Sequence, residues 1–152
     1  MAAVAGESIR QFVADKKIAV VGVSATGKGF GSFAYSELKK KGYRVMAVHP
    51  TASAVNGDPC WPNLASLPEP VERALVVVKP EAAEAVLREA AAAGVRRIWL
   101  QQGAESPAAL RAAEELGLDV VHGQCILMFA DPVGPLHGIH RWVWKLIGKI
   151  PQ

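Results

Sequence analysis

Apolar and polar positions along this chain fall into blocks whose period changes from one block to the next. Ile18-Ala19-Val20-Val21 is an unbroken, largely β-branched run that stops at Gly22. It reads as a strand, and in the run Ala74–Val78 the unbroken apolar character argues burial on both faces, as in a parallel sheet. Further strands are expected at Tyr43–Val48, Ala74–Val78, Arg97–Leu100 and Leu118–Val121. Between these runs the period lengthens to that of a helix. Ile9, Phe12 and Val13 share one side of a segment running from Ser8, an N-cap residue type, to Lys16. Phe33, Ala34 and Leu38 face inward from a helix over about 32–41 that Gly42 closes. An Ala-rich helix opens at Pro80 and ends at Gly94, and another opens at Ser106-Pro107 and ends at Gly117.

Alternating strands and helices with short connections predict an α/β fold. The expected architecture is a Rossmann-like open parallel sheet of five strands in the order 3-2-1-4-5, with the switch point between strands one and four. Residues 51–73 carry Asn56-Gly57 and prolines at 59, 62, 68 and 70, and read as irregular chain. Leu136, Ile139, His140, Val143, Leu146 and Ile147 recur at helical spacing and predict an additional C-terminal helix over about 136–148. Trp142 and Trp144 fall off that stripe. They either pack on a neighbouring element or make a homodimer or partner contact through the tail, and contact is the preferred reading. A single domain over 1–152 is long enough to bury its own core.

Composition narrows the function classes. No apolar run approaches the ~20 residues that span a bilayer, so no membrane role is expected. The start, MAAVAGESIRQF, lacks the basic and apolar regions of a signal peptide, and Cys60 and Cys125 are too far apart for a C-x-x-C motif. A cytoplasmic location follows as an expectation. The net charge of +3 is spread out rather than gathered into a basic stripe with exposed aromatics. Nucleic acid is therefore not the expected partner, whereas a polyanionic small molecule suits the excess.

Candidate chemistry starts after the first strand. A strand, a Gly-rich loop and a helix make a phosphate site, because glycines admit the backbone and helix N–H groups point at the anion. Gly22–Lys28 matches G-x-x-x-x-G-K, but Gly29 stands where a Ser or Thr would hold Mg²⁺. The dinucleotide pattern G-x-G-x-x-G fails at Ser24, and strand two ends in Val48-His49-Pro50 rather than an acidic residue for a ribose. The expected cleft collects loops 22–31, 49–50, 79–80 and 101–103 at the C-terminal strand ends.

Four stretches in order, VVGVSATGKGFGSFAYSELKKKGYRVMAVHP, ALVVVKPE, IWLQQGAESPAA and GLDVVHGQCILM, resemble the small stand-alone CoA-binding proteins. Their fold is similar to the N-terminal CoA-binding domain of the succinyl-CoA synthetase α subunit. The resemblance spans about 10–130. Where relatives often carry Arg-Pro-Ser this chain reads Gly29-Phe30-Gly31-Ser32, and Asn-Pro after strand two is His49-Pro50. The resemblance implies coenzyme A as cofactor, with the pyrophosphate on the first loop and the nucleotide end along the loops after strands two and three. The implied cofactor-binding set is Gly22, Val23, Ser24, Ala25, Thr26, Lys28, Ser32, Val48, His49, Pro50, Val78, Lys79, Pro80, Gln101 and Gln102.

Within that set the residue chemistry agrees. N–H groups around Ser24, Ala25 and Thr26, two hydroxyls and Lys28 meet phosphate oxygens. Val48, Pro50, Val78 and Pro80 sandwich an adenine, and His49 is compatible with a 3′-phosphate. Lys79 either neutralises phosphate or is a solvated loop lysine, and Gln101 and Gln102 either meet ligand or bond loop backbone. Cys125 is either a thiol near the pantetheine end or a small buried hydrophobe.

No catalytic residue and no metal ligand set is expected, since the phosphohistidine and nucleotide-grasping parts of the ligases lie outside the resembling domain. The reading is a non-catalytic binder of CoA or an acyl-CoA. The alternatives are a nucleotide- or NAD-dependent enzyme, or a regulatory domain, using the same cleft.

Overall fold

The computed structural model describes residues 2–130, with side chains from residue 6 onward. The expected helix over 136–148 and the tail contact through Trp142 and Trp144 lie outside the described residues. In chain order the elements are α1 (Ala2–Val13), β1 (Lys17–Val21), α2 (Phe30–Lys40), β2 (Arg44–Val48), β3 (Ala54–Val55), β4 (Asp58–Trp61), β5 (Arg73–Val76), α3 (Pro80–Ala92), β6 (Arg97–Gln101), α4 (Pro107–Leu116) and β7 (Asp119–Gln124). Two short 3-10 turns, Leu64–Ser66 and Ile126–Met128, complete the list.

The α/β architecture is the expected one, but strand number and order are not. Seven strands form one sheet in the order β3-β4-β2-β1-β5-β6-β7, parallel except for the antiparallel β3–β4 pair. The segment read as irregular holds a hairpin. Asn56 and Gly57 both have positive φ (52° and 83°), as a two-residue hairpin turn of the primed type needs. Strand β4 pairs with the outer edge of β2 through Ala47↔Cys60 and Val48↔Trp61. That edge was assigned to the Ala74–Val78 run. With it occupied, the run instead pairs with the other side of β1, Ala19↔Ala74 to Val21↔Val76. The crossover therefore falls between β1 and β5.

Period-two alternation sorts the central strands into two cores. Ile18, Val20, Leu75 and Trp99 face α1, α2 and the 126–130 turn, where Phe12, Tyr35, Leu38 and Phe129 are buried. Trp99 stands edge-on to Phe12 at 5.4 Å between centroids, and its Nε1 donates to the Gln124 carbonyl at 3.0 Å. Burying the ring while satisfying its N–H is worth about 2–3 kcal/mol. On the opposite face Ala19, Val21, Ala74, Val76, Ile98 and Leu100 meet Ala83, Leu87 and Ala90 of α3 and Ala109 and Ala113 of α4. Alanines on both helices let them lie close against the sheet.

Two helix details differ from the pattern reading. Helix α1 begins before Ser8, whose hydroxyl is no cap but donates to Asp119 Oδ1 at 2.7 Å. The other end of α1 is held by buried Arg73, whose guanidinium donates to the carbonyls of Gln11 and Phe12 and so meets the negative end of the helix dipole. In α2 the inward positions are Ala34, Tyr35 and Leu38. Phe33 is 47% exposed, because it lies off the buried side of the helix formed by 31, 32, 34, 35 and 38. Ser106 accepts from the Ala109 N–H at 3.1 Å and Gly117 takes the left-handed C-cap, as the sequence predicts for α4.

Candidate functional site

Beyond the C-terminal ends of β1, β5 and β6, at the crossover, lies a cleft of about 580 Å³. In open parallel sheets this is where ligands bind, because the flanking connections leave in opposite directions and part there. Three loops line it. From the first come Gly22, Ser24, Lys28, Gly29, Phe30 and Gly31; from the second, Val77, Val78, Lys79 and Pro80; from the third, Gln101, Gln102, Gly103 and Ala104.

The first loop is shaped by two glycines in close contact. Gly22 leaves β1 with φ +115°, and a Cβ there would overlap the Val77 carbonyl. A Cβ on Gly31 would overlap the carbonyl of Gly22. The start of α2 thus lies directly on the end of β1, which is the close helix–strand approach a phosphate cradle requires. Buried Ser32 fixes the turn from below by accepting the Ser24 N–H at 2.8 Å. Ser24 Oγ accepts the Thr26 N–H at 3.1 Å, and the Ser24 carbonyl accepts the Gly27 N–H at 3.0 Å. The two hydroxyls of Ser24 and Thr26 are 2.7 Å apart.

Consequently the N–H groups of Ser24 and Thr26, expected to meet an anion, are used inside the loop. A few residues later, no side chain caps α2 at Gly29. The first turn of α2 therefore presents its N–H groups and partial positive charge beside exposed Lys28.

The third loop behaves differently. Gln101 is 6% exposed, and its Oε1 accepts the Ile126 N–H at 3.2 Å. This bond ties the cleft to the turn after Cys125. Gln102 is exposed, and the Gly103 N–H donates to Glu105 Oε2 at 3.0 Å. Cys125 is 9% exposed and packs in the aromatic core. Burial pushes the Cys60 thiol above its ordinary range.

Of the fifteen residues expected around a cofactor, Gly22, Ser24, Lys28, Val78, Lys79, Pro80, Gln101 and Gln102 come together in the cleft lining. Ala25 and Thr26 are exposed on the loop, and Val23 and Ser32 are buried beneath it. Val48 is 4% exposed and packs in the α3/α4 core, so its side chain is not open to an adenine. The His49-Pro50 turn is not part of the lining. His49 Nδ1 accepts from the N–H groups of Thr51 and Ala52 at 3.1 and 2.8 Å, closing its own turn. The lining also includes Gly29, Phe30, Gly31, Val77, Gly103 and Ala104. Gly31 and Phe30 were part of the recognised first motif, but the pattern carried no sign of the direction in which they face.

Near the first loop, the β3–β4 hairpin is fastened to α2. Tyr35 Oη donates to Asp58 Oδ2 at 3.0 Å and Lys39 pairs with the same oxygen. The Lys39 hydrogen bond, then that of Tyr35, holds the Asp58 carboxyl below its usual range. Burial, then the bond to Asp58, pushes the Tyr35 phenol well above its own. Among the described residues no three His, Cys, Asp or Glu side chains gather as a metal site, and no helix is long and apolar enough to cross a membrane.

Residues 16–131 match the family model described as a CoA binding domain. A conserved hypothetical protein from Pyrococcus furiosus superposes with a TM-score of 0.69 and 34% identity, over 73% of this chain and 96% of that one. A hypothetical protein from Pyrococcus horikoshii OT3 gives 0.71 and 30%, over 79% and 85%. A dinucleotide forming acetyl-coenzyme A synthetase from Ca. Korarchaeum cryptofilum gives 0.62 and 26%, over 73% of this chain but 26% of the enzyme.

Proposed function

We propose that this chain, which belongs to the CoA binding domain family, binds coenzyme A or an acyl-CoA in the cleft at the ends of β1, β5 and β6 and catalyses no reaction of its own. One observation carries the reading: the cleft lining holds two lysines, Lys28 and Lys79, and no Asp or Glu. With the uncapped start of α2 beside Lys28, this is a donor set for a polyanion. CoA fits it: its phosphates match Lys28, Lys79 and the α2 N–H groups, while Val78 and Pro80 offer apolar surface to the base.

A nucleoside triphosphate with Mg²⁺ suits the lining less well. Gly29 brings no hydroxyl to a metal, and no lining carboxylate would hold one. The family resemblance covers only a quarter of the acetyl-CoA synthetase, so that enzyme's activity is not carried over.

Titration calorimetry on protein stripped of carried-over ligand tests the reading, with CoA, 3′-dephospho-CoA, NAD and ATP-Mg²⁺ compared. CoA is expected to saturate one site and to bind more tightly than the other three. Lys28→Glu should weaken CoA by roughly 10- to 100-fold by reversing a charge at the phosphates, with an unchanged melting temperature. Preference for NAD or ATP-Mg²⁺ would transfer the cleft to the nucleotide-dependent alternative.

A further inference from the structure

The cleft is not chemically uniform along its length. Its cations sit on the loops after β1 and β5, as Lys28 and Lys79, whereas the end of β6 and the loop after it contribute the uncharged Gln101, Gln102, Gly103 and Ala104. At that uncharged end stands a polar side chain that is almost wholly buried. Gln101 is 6% exposed, and one of its two amide heads is already committed. A backbone N–H can only meet the amide oxygen, so the bond from Ile126 N–H at 3.2 Å fixes which atom is Oε1. Nε2 has no hydrogen-bond partner among the described residues, and the residue is part of the cleft wall. The side chain is held in place while its NH₂ group is left without a described protein acceptor at the cleft wall, which makes it an oriented donor for a ligand.

We infer that Gln101 is the residue that reads the uncharged arm of the ligand, donating from Nε2 to an amide or thioester carbonyl of the pantetheine portion. The inference rests on the CoA reading above and adds a direction to it: phosphates toward β1 and β5, carbonyls toward β6. Ile126 acts as the positioning group, because its N–H prevents the amide from flipping to present oxygen to the cleft. Pantetheine carbonyls are acceptors only, so a donor fixed in direction selects for them.

The test compares CoA with adenosine 3′,5′-bisphosphate, which keeps adenosine and phosphate but has no pantetheine. Both are titrated into the unaltered chain, Gln101→Glu and Gln101→Met, with melting temperatures read alongside. Glu retains an acceptor for Ile126 but removes the donor, and Met removes both. Both variants are expected to lose roughly 10- to 100-fold in CoA affinity, while Met leaves the bisphosphate within about twofold. Unchanged CoA affinity in either folded variant, or equal losses for both probes in the Met variant, would overturn the assignment to Gln101 alone. If the unaltered chain binds neither probe, the CoA reading itself falls and the assignment with it.

Discussion

The turns after β1 and β2 leave neighbouring parallel strands at the same end of the sheet, yet only one of them opens onto the cleft. After β1 the chain is all approach: Gly22 lies against Val77, Gly31 against Gly22, and the start of α2 is left without a side-chain cap. After β2 the chain closes on itself, with His49 Nδ1 taking two backbone N–H groups and its own N–H donating to the Trp61 carbonyl. The difference lies in the topology. The β1 turn borders the crossover to β5, whereas the β2 turn feeds the β3–β4 hairpin on the outer side. A glycine beside a crossover lines an open cleft; an imidazole beside a hairpin closes a corner.

The largest effect expected from breaking that contrast is at Gly31. Its φ is ordinary for a helix, so an alanine there tests only the space between α2 and β1. The overlap is with backbone, which cannot rotate away as a side chain would. Gly31→Ala should destabilise the fold by about 3 kcal/mol and weaken CoA binding, read as the urea midpoint and by calorimetry. A variant as stable as the parent would show that the close approach of α2 is not what shapes the first loop.

At His49 a smaller loss is expected, and in stability alone. Removing the ring in His49→Ala leaves the Thr51 and Ala52 N–H groups to find water, at a cost of about 1 kcal/mol. His49→Asn should recover most of it, since an Asn side-chain oxygen accepts from the backbone two residues on. CoA affinity should stay within about twofold in both, because the ring lies outside the cleft lining. A loss of binding in the Asn variant, with stability intact, would bring the β2 turn back into the site.

How much of this was legible in the residues follows the same division. The strand runs, the helix at 107–116 with its Ser106 and Gly117 caps, and the turn between β1 and α2 are written in local pattern, and local pattern is enough to place them. Strand order is not local. Asp58-Pro59-Cys60-Trp61 does not look like a strand because Pro59 cannot donate to a ladder, yet its pairing with β2 decides on which side of β1 the next strand lies. Phe33 is expected inward for its size, but it is the immediate neighbour of Ala34 and so stands about 100° round the helix from the stripe through Ala34 and Leu38. His49 and Gln101 both stand among the residues expected around a cofactor, with a bond to loop backbone as the alternative for Gln101. In the fold each side chain accepts from backbone N–H, His49 within its own turn and Gln101 from the last position of β6. Which partners they take depends on chain three residues away for one and twenty-five for the other, and only the fold brings the second pair together.

The smallest effect is a matter of charge on the hairpin side. Asp58 is held below the usual carboxylate range by Lys39 and then by Tyr35, and it joins the β3–β4 hairpin to α2. A carboxyl with a depressed folded-state pKa contributes stability that is complete above its unfolded value, about 3.9 for Asp, and is lost as pH falls through the folded value. Asp58→Asn should therefore melt slightly below the parent at pH 7. The gap should persist down to about pH 4 and close at more acidic pH, where the parent carboxylate also becomes neutral. Salt should narrow the gap at neutral pH, because the Lys39 ammonium is half exposed and screened. Melting temperatures from pH 7 to pH 2.5 at two ionic strengths decide the matter. A gap that is constant across this range would mean that the hairpin is held to α2 by shape and the Tyr35 contact, with no part played by the charge.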